Sequence, residues 1–167
     1  MHYLREVHNC KHFRNPDFNR ESAEAELVSR DGTPLSVYQV PDIATADRVI
    51  IIYAMRMKQQ PEKIDYILLP EALLRKFNLS TRQDPGDIRH PLLQRTHHEI
   101  LGLNVNVLEK LVDDLPSWGI QGRRVPKSEL RDKAQEECNH SDGGPEALAL
   151  VAGRPGWDYL QQPPRQP

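Results

Sequence analysis

Most signals that assign a function at sight are missing from this chain. Cysteine is scarce: the 167 residues hold two, Cys10 and Cys138, too few for a disulfide framework. That scarcity predicts a reducing, cytoplasmic setting. Aromatic residues make up 6% of the chain, which argues against an extended platform for stacking bases. Charge of neither sign is in excess, with 22 Lys and Arg against 24 Asp and Glu. Bulk neutralisation of phosphates therefore has no footprint here. The longest apolar run, residues 49–55, is far shorter than the ~20 residues a bilayer requires. Residues 1–14 are polar and lack the apolar core of a secretion signal. Residues 161–167 match no lipidation signal. The expectation is a soluble cytoplasmic protein with no membrane partner.

Catalytic signatures are missing as well. No serine sits in a G-x-S-x-G elbow, and no G-x-G-x-x-G or Walker loop occurs. Asp84 and Asp87 flank Pro85-Gly86, but the spacing lacks the further oxygens and distal glutamate of a calcium loop. The reading leans away from an enzyme and assigns no cofactor.

Proline and glycine divide what is there. Seven of the fourteen prolines and six of the nine glycines fall after Asp114. This predicts a compact domain over residues 1–115 and a Pro/Gly-rich, partly disordered tail over 116–167, with one short polar helix near 127–137. The first 115 residues are enough to bury a core without metal or disulfide.

Within the domain the fold class is α+β: a small mixed or antiparallel sheet packed by about three helices, followed by a largely irregular tail. Residues 35–40 alternate with period two and read as a strand, entered through a hairpin-type turn at Asp31-Gly32. Residues 64–69 form a continuous apolar run, a central strand, and 97–103 a third. Residues 45–60 carry β-rich composition at 49–53, yet no breaker appears before Pro61, so they read as a buried helix with Thr45 as cap. A strand at 48–54 is the rival reading. Pro70 opens a helix over 70–78. Residues 80–95, punctuated by Asp84-Pro85-Gly86-Asp87 and His90-Pro91, read as a long, functional loop. A helix over 104–115, capped by Asn104 or Asn106, places Leu108, Leu111, Val112 and Leu115 on one stripe. Residues 1–14 fit a strand or a short helix equally.

Few side-chain groupings could carry chemistry. His8, Cys10 and His12 alternate, so a strand would put all three on one face and a helix would put His8 and His12 on one, where they could ligate zinc. His98 with Glu99 is a weak catalytic candidate, a general base under the 80–95 loop, although strand geometry sends His97 and Glu99 to one face and His98 to the other. Arg123 and Arg124, with Lys127, Arg131 and Lys133, form the one basic concentration, a weak nucleic-acid footprint diluted by acids. Asp113-Asp114 at a helix C-terminus opposes the macrodipole, and solvated surface is the plain account of it. Trp118, Trp157 and Tyr159 lie in the tail, where they either dock on the domain or anchor a partner together with the arginines.

The function this favours is a non-enzymatic interaction or regulatory protein acting through its tail and the 80–95 loop, with another protein as partner. The alternatives are a metal-assisted hydrolase or nuclease built on the histidines, and a nucleic-acid-binding regulator built on residues 123–133. A domain closed at 115 would keep a cooperative melt after residues 117–167 are removed. Leu111→Asp should abolish the melting transition followed by circular dichroism, because a core charge costs several kcal/mol.

Overall fold

The computed structural model describes residues 1–28, 34–86 and 88–161. The Asp31-Gly32 turn, Asp87 and residues 162–167 lie outside the described residues. The α+β class is as expected. Six strands form one antiparallel sheet: β1 (His2–Val7), β2 (Leu35–Val40), β3 (Lys63–Pro70), β4 (Ser80–Gln83), β5 (His97–Leu101) and β6 (Gln121–Pro126), in spatial order β4-β5-β2-β1-β3-β6. Among the described residues there are seven α-helices rather than about three: α1 (Arg20–Leu27), α2 (Ile43–Met55), α3 (Glu71–Lys76), α4 (Pro91–Thr96), α5 (Val105–Asp114), α6 (Lys127–Cys138) and α7 (Gly144–Val151). None is long and apolar enough to cross a membrane.

The strand pleat sorts the core into two. Leu35 and Val37 of β2 face one side, with Ile67 and Leu69 of β3, under α1, α3 and α5. Tyr38, Val40, Ile64, Tyr66 and Leu68 face the other, under α2, α4, α6 and α7. The molecule is a sheet between two helical layers.

Residues 43–55 settle as helix despite their β-rich composition. Asp42, not Thr45, is the cap: its Oδ1 accepts the Thr45 N–H at 2.7 Å. Four consecutive residues, Val49 to Ile52, are buried, as expected of a helix apolar all round and enclosed by neighbours. In α5, Asn104 caps at 3.1 Å, and Leu108, Leu111 and Val112 are buried as the stripe predicts. The paired acids at its end find their cations within the chain: Arg20 reaches Asp113 at 2.7 Å and Lys76 reaches Asp114 at 2.6 Å.

Two expectations need correction. Residues 80–95 are not a plain loop. They contain β4, which pairs with β5 from Ser80↔Leu101 to Gln83↔His98, and most of α4. Ser80 to Gln83 carries no apolar alternation because it is a solvent-facing edge, so its pairing left no hydrophobic trace.

The boundary at 115 is not where packing ends. β6 pairs with β3 along its length, from Lys63↔Pro126 to Leu68↔Gln121. Polar α6 buries a narrow stripe, Leu130, Ala134 and Cys138, at i, i+4, i+8. Trp157 is 0% exposed and sits in the core with Val151 and Leu160. Prolines and glycines in this stretch mark tight joints between elements. Gly143, at φ +97, presses on the His90 ring so closely that an added Cβ would lie 2.6 Å from it. Cutting the chain after Pro116 removes an edge strand and part of one covering layer. The truncated protein should show no cooperative thermal transition, and Trp157→Ala in the full chain should cost about 3–5 kcal/mol in chemical denaturation.

Candidate functional site

The residues singled out in the sequence do not gather. β1 stops at Val7, and residues 10–13 form a 3-10 helix capped by Asn9, whose Oδ1 accepts from the Lys11 N–H at 3.2 Å. His8 is exposed, Cys10 turns into the core at 2% exposure, and His12 bonds Asn9 at 3.1 Å. The shared face predicted for His8, Cys10 and His12 is thereby broken. Burial pushes the Cys10 thiol up, away from the thiolate that zinc needs. Among the described residues no three His, Cys, Asp or Glu side chains come together as a metal site.

On β5, His98 donates from Nδ1 to the Thr96 carbonyl at 2.9 Å and meets the Tyr3 ring edge-on at 6.3 Å. Glu99 pairs with Arg82 at 2.6 Å on the opposite face, so the two do not form a catalytic pair. Arg123 lies between Asp47 and Glu129. Arg124 forks onto Asp65, with contacts of 2.9 to 3.2 Å. Burial pushes the Asp65 carboxyl up, but Arg124 and the Cys10 N–H outweigh this and hold it below the ordinary range. Trp118 donates to Asp114 at 2.6 Å. Trp157 is core, and Tyr159 carries the Arg131 guanidinium 4.5 Å above its ring. Both arginines and Trp157 thus serve the fold itself.

The sheet instead opens a site that the sequence did not announce. β1 and β2 pair only where His2 to Leu4 faces Val40 to Tyr38. Beyond Leu4, β1 continues against β3 as far as Val7↔Asp65, while β2 continues against β5 as far as Leu35↔Ile100. The two strands part, and a cleft of about 400 Å³ fills the fork. That volume suits a small molecule. Arg5 and Glu6 line it from β1, Tyr38 from β2, Tyr53 and Arg56 from α2 and its end, and His97 from β5. Gly86 and Ile88 of the loop between β4 and α4 complete the wall.

Arg5 spans the fork, donating from Nη1 to the Ser36 carbonyl at 3.1 Å and from Nη2 to the Glu26 carbonyl of α1 at 3.5 Å. Its Nε is buried with no acceptor among the described residues. Glu6 is half-buried and has no hydrogen bond or ion pair among them either. Burial raises its pKa, Glu26 adds to the rise, and Arg5 opposes it. Tyr38 is pushed up to about 12 by burial, against the pull of Arg56. Burial raises Tyr53 too. Tyr38 meets Tyr53 at 6.1 Å and His97 at 5.3 Å, both edge-to-face, which fixes an aromatic wall. His97 Nδ1 bonds the Asp84 carbonyl. A carbonyl can only accept, so Nδ1 holds a proton, and in the neutral ring Nε2 is the acceptor. The same bond ties the loop to the sheet, and Asp84 Oδ1 turns that loop by accepting the Gly86 N–H at 3.1 Å.

Two guanidinium groups and two phenol hydroxyls offer donors, while His97 Nε2 and Glu6 offer acceptors. The set can hold an anionic group at one end of a ligand and a hydroxyl or amine at the other. Sequence reasoning missed Arg5, Glu6, Tyr53 and Arg56. The available signal was an Arg-Glu pair interrupting residues that otherwise alternate as a strand. Compared with known protein families, curated proteins and solved structures, the chain finds no match.

Because the Glu6 pKa is raised, in the pH window between its unfolded and folded values the folded protein holds a proton there that the unfolded chain has released. Its charge therefore costs stability above that window and nothing below the unfolded value. Glu6→Gln should unfold at higher denaturant than wild type at neutral pH, and the gap should close as pH falls to about 4.

Proposed function

We propose that this is a non-enzymatic regulatory protein that binds a small anionic molecule in the fork between β1 and β2 and reports its presence to a protein partner through the loop over the cleft. The observation carrying this reading is the unspent charge. Arg48, for one, is neutralised by Glu137 at 2.7 Å, while at the fork Arg5 Nε is buried with no acceptor and Glu6 has no partner among the described residues. A buried guanidinium nitrogen without an acceptor is costly to keep, and an anionic ligand would supply that acceptor. The loop residues Gly86 and Ile88 touch the cleft directly, so occupancy and loop position are linked. Of the two segments expected from the sequence, the tail and the 80–95 loop, this reading keeps the second, which is held by the bond from His97 to the Asp84 carbonyl. The metal-assisted and nucleic-acid readings lose their support with the dispersal of His8, Cys10 and His12 and the pairing of Arg123 and Arg124.

Isothermal calorimetry with orthophosphate, citrate and a neutral sugar as probes tests the reading. The anions should bind and the sugar should not. Arg56→Ala should weaken anion binding about tenfold or more, the loss expected for one charge-assisted contact. Equal behaviour of all three probes, or no binding by any, would overturn it.

A further inference from the structure

We propose that Arg154 is a positioning residue of this cleft: it occupies the carbonyl groups at the end of α2 and thereby leaves Arg56 free to face the ligand. The inference rests on reading the cleft as an anion site. Carbonyls at a helix C-terminus lack partners within the helix, and a basic side chain nearby commonly folds back onto them. Arg56 is the C-terminal capping residue of α2, with φ −79 and ψ −15, and stands where it could do this. A different cation has the place. Arg154 Nη1 donates to the Arg56 carbonyl and, at 2.9 Å, to the Met57 carbonyl. A positive charge there also complements the negative end of the helix. The Arg56 side chain turns instead into the fork beside Tyr38.

The segment carrying Arg154 is anchored well enough to act as a support. The Arg154 N–H donates to Val151 at the end of α7 at 3.0 Å, and the Gln60 N–H donates to Pro155 at 3.2 Å. Gly156 lies so close to Gln60 that an added Cβ would come within 2.9 Å of its Cβ. Trp157, next in sequence, is fully enclosed. No carboxylate pairs with Arg154 among the described residues, so its work is confined to these two carbonyls.

The test uses the full chain, orthophosphate as probe, and the ¹⁵N-resolved Nε–Hε resonance of Arg56. Arg154→Gln should keep the cooperative melt, shift the Arg56 resonance in the free protein, and weaken phosphate binding about tenfold. Arg154→Lys should restore most of both. An unmoved resonance together with wild-type affinity in Arg154→Gln would overturn the role of Arg154 and leave the anion reading standing. If wild type binds no phosphate, the anion reading fails, and the resonance alone decides whether Arg154 sets the position of Arg56. Should Arg154→Gln not melt cooperatively, the same two readings on Arg154→Met, which keeps an apolar stem, decide in the same way.

Discussion

Strand β3 is apolar on both faces, and the rest of the molecule answers that constraint. From Ile64 to Leu69 every residue is buried. Antiparallel sheets commonly leave one face to water, but a strand of this kind cannot. Two helical layers are therefore obligatory. Short helices α1, α3 and α5 cover one face. The other face takes α2, whose second half from Val49 is apolar all round and needs a cover of its own. α4, α6, α7 and Trp157 supply it. The one acid in the buried run, Asp65, is held by the Arg124 fork and the Cys10 N–H, so the edge strand β6 and the 3-10 turn after β1 are bound to the same residue.

Several ion pairs join elements in the same way. Asp113 and Asp114, at the wrong end of a helix for the dipole, are neutralised by α1 and α3 and so tie that layer together. Arg123 joins the sheet to α2 and α6 through Asp47 and Glu129. The fork between β1 and β2 differs in holding, among the described residues, the one arginine nitrogen that is buried without an acceptor. Its charged groups lie at a break in the strand pairing, where the ladder cannot satisfy its own backbone and an arginine reaches across to one carbonyl. Sites that violate local rules in an otherwise consistent fold are where function concentrates.

Sequence reasoning reached the elements whose burial is regular. β2 and α5 were legible because their apolar residues recur with the period of the element, α2 because no breaker falls before Pro61, and β3 because it is a continuous run. β4 and most of β6 were not, since edge strands carry polar residues that record no face. α6 escaped as a packed helix because three small or medium residues at four-residue spacing, Leu130, Ala134 and Cys138, are a faint stripe in a charged sequence. Proline and glycine density was read as loss of order when it marks sharp joints. The cleft was illegible for a different reason. It is made by where two strands separate, which depends on register across four strands and not on any local motif. His97 was within the histidine pair noticed at the outset, but which of the two faces the fork is fixed by pairing with Tyr38 and Val37.

The sheet order carries a consequence for synthesis. β1, the first strand to be made, ends at the centre of the sheet, and its neighbour β3 is flanked on the far side only when β6 has been translated. The cover over α2 is finished later still, with Trp157 and Leu160. A nascent chain that has reached α5 therefore holds the layer of α1, α3 and α5 nearly complete, while on the other face α2, the most apolar helix there, is covered by α4 without α6 or α7. Until the final quarter emerges, that helix is a surface for chaperones or for aggregation. A stop codon anywhere before Trp157 makes this passing state of the growing chain the permanent state of the product.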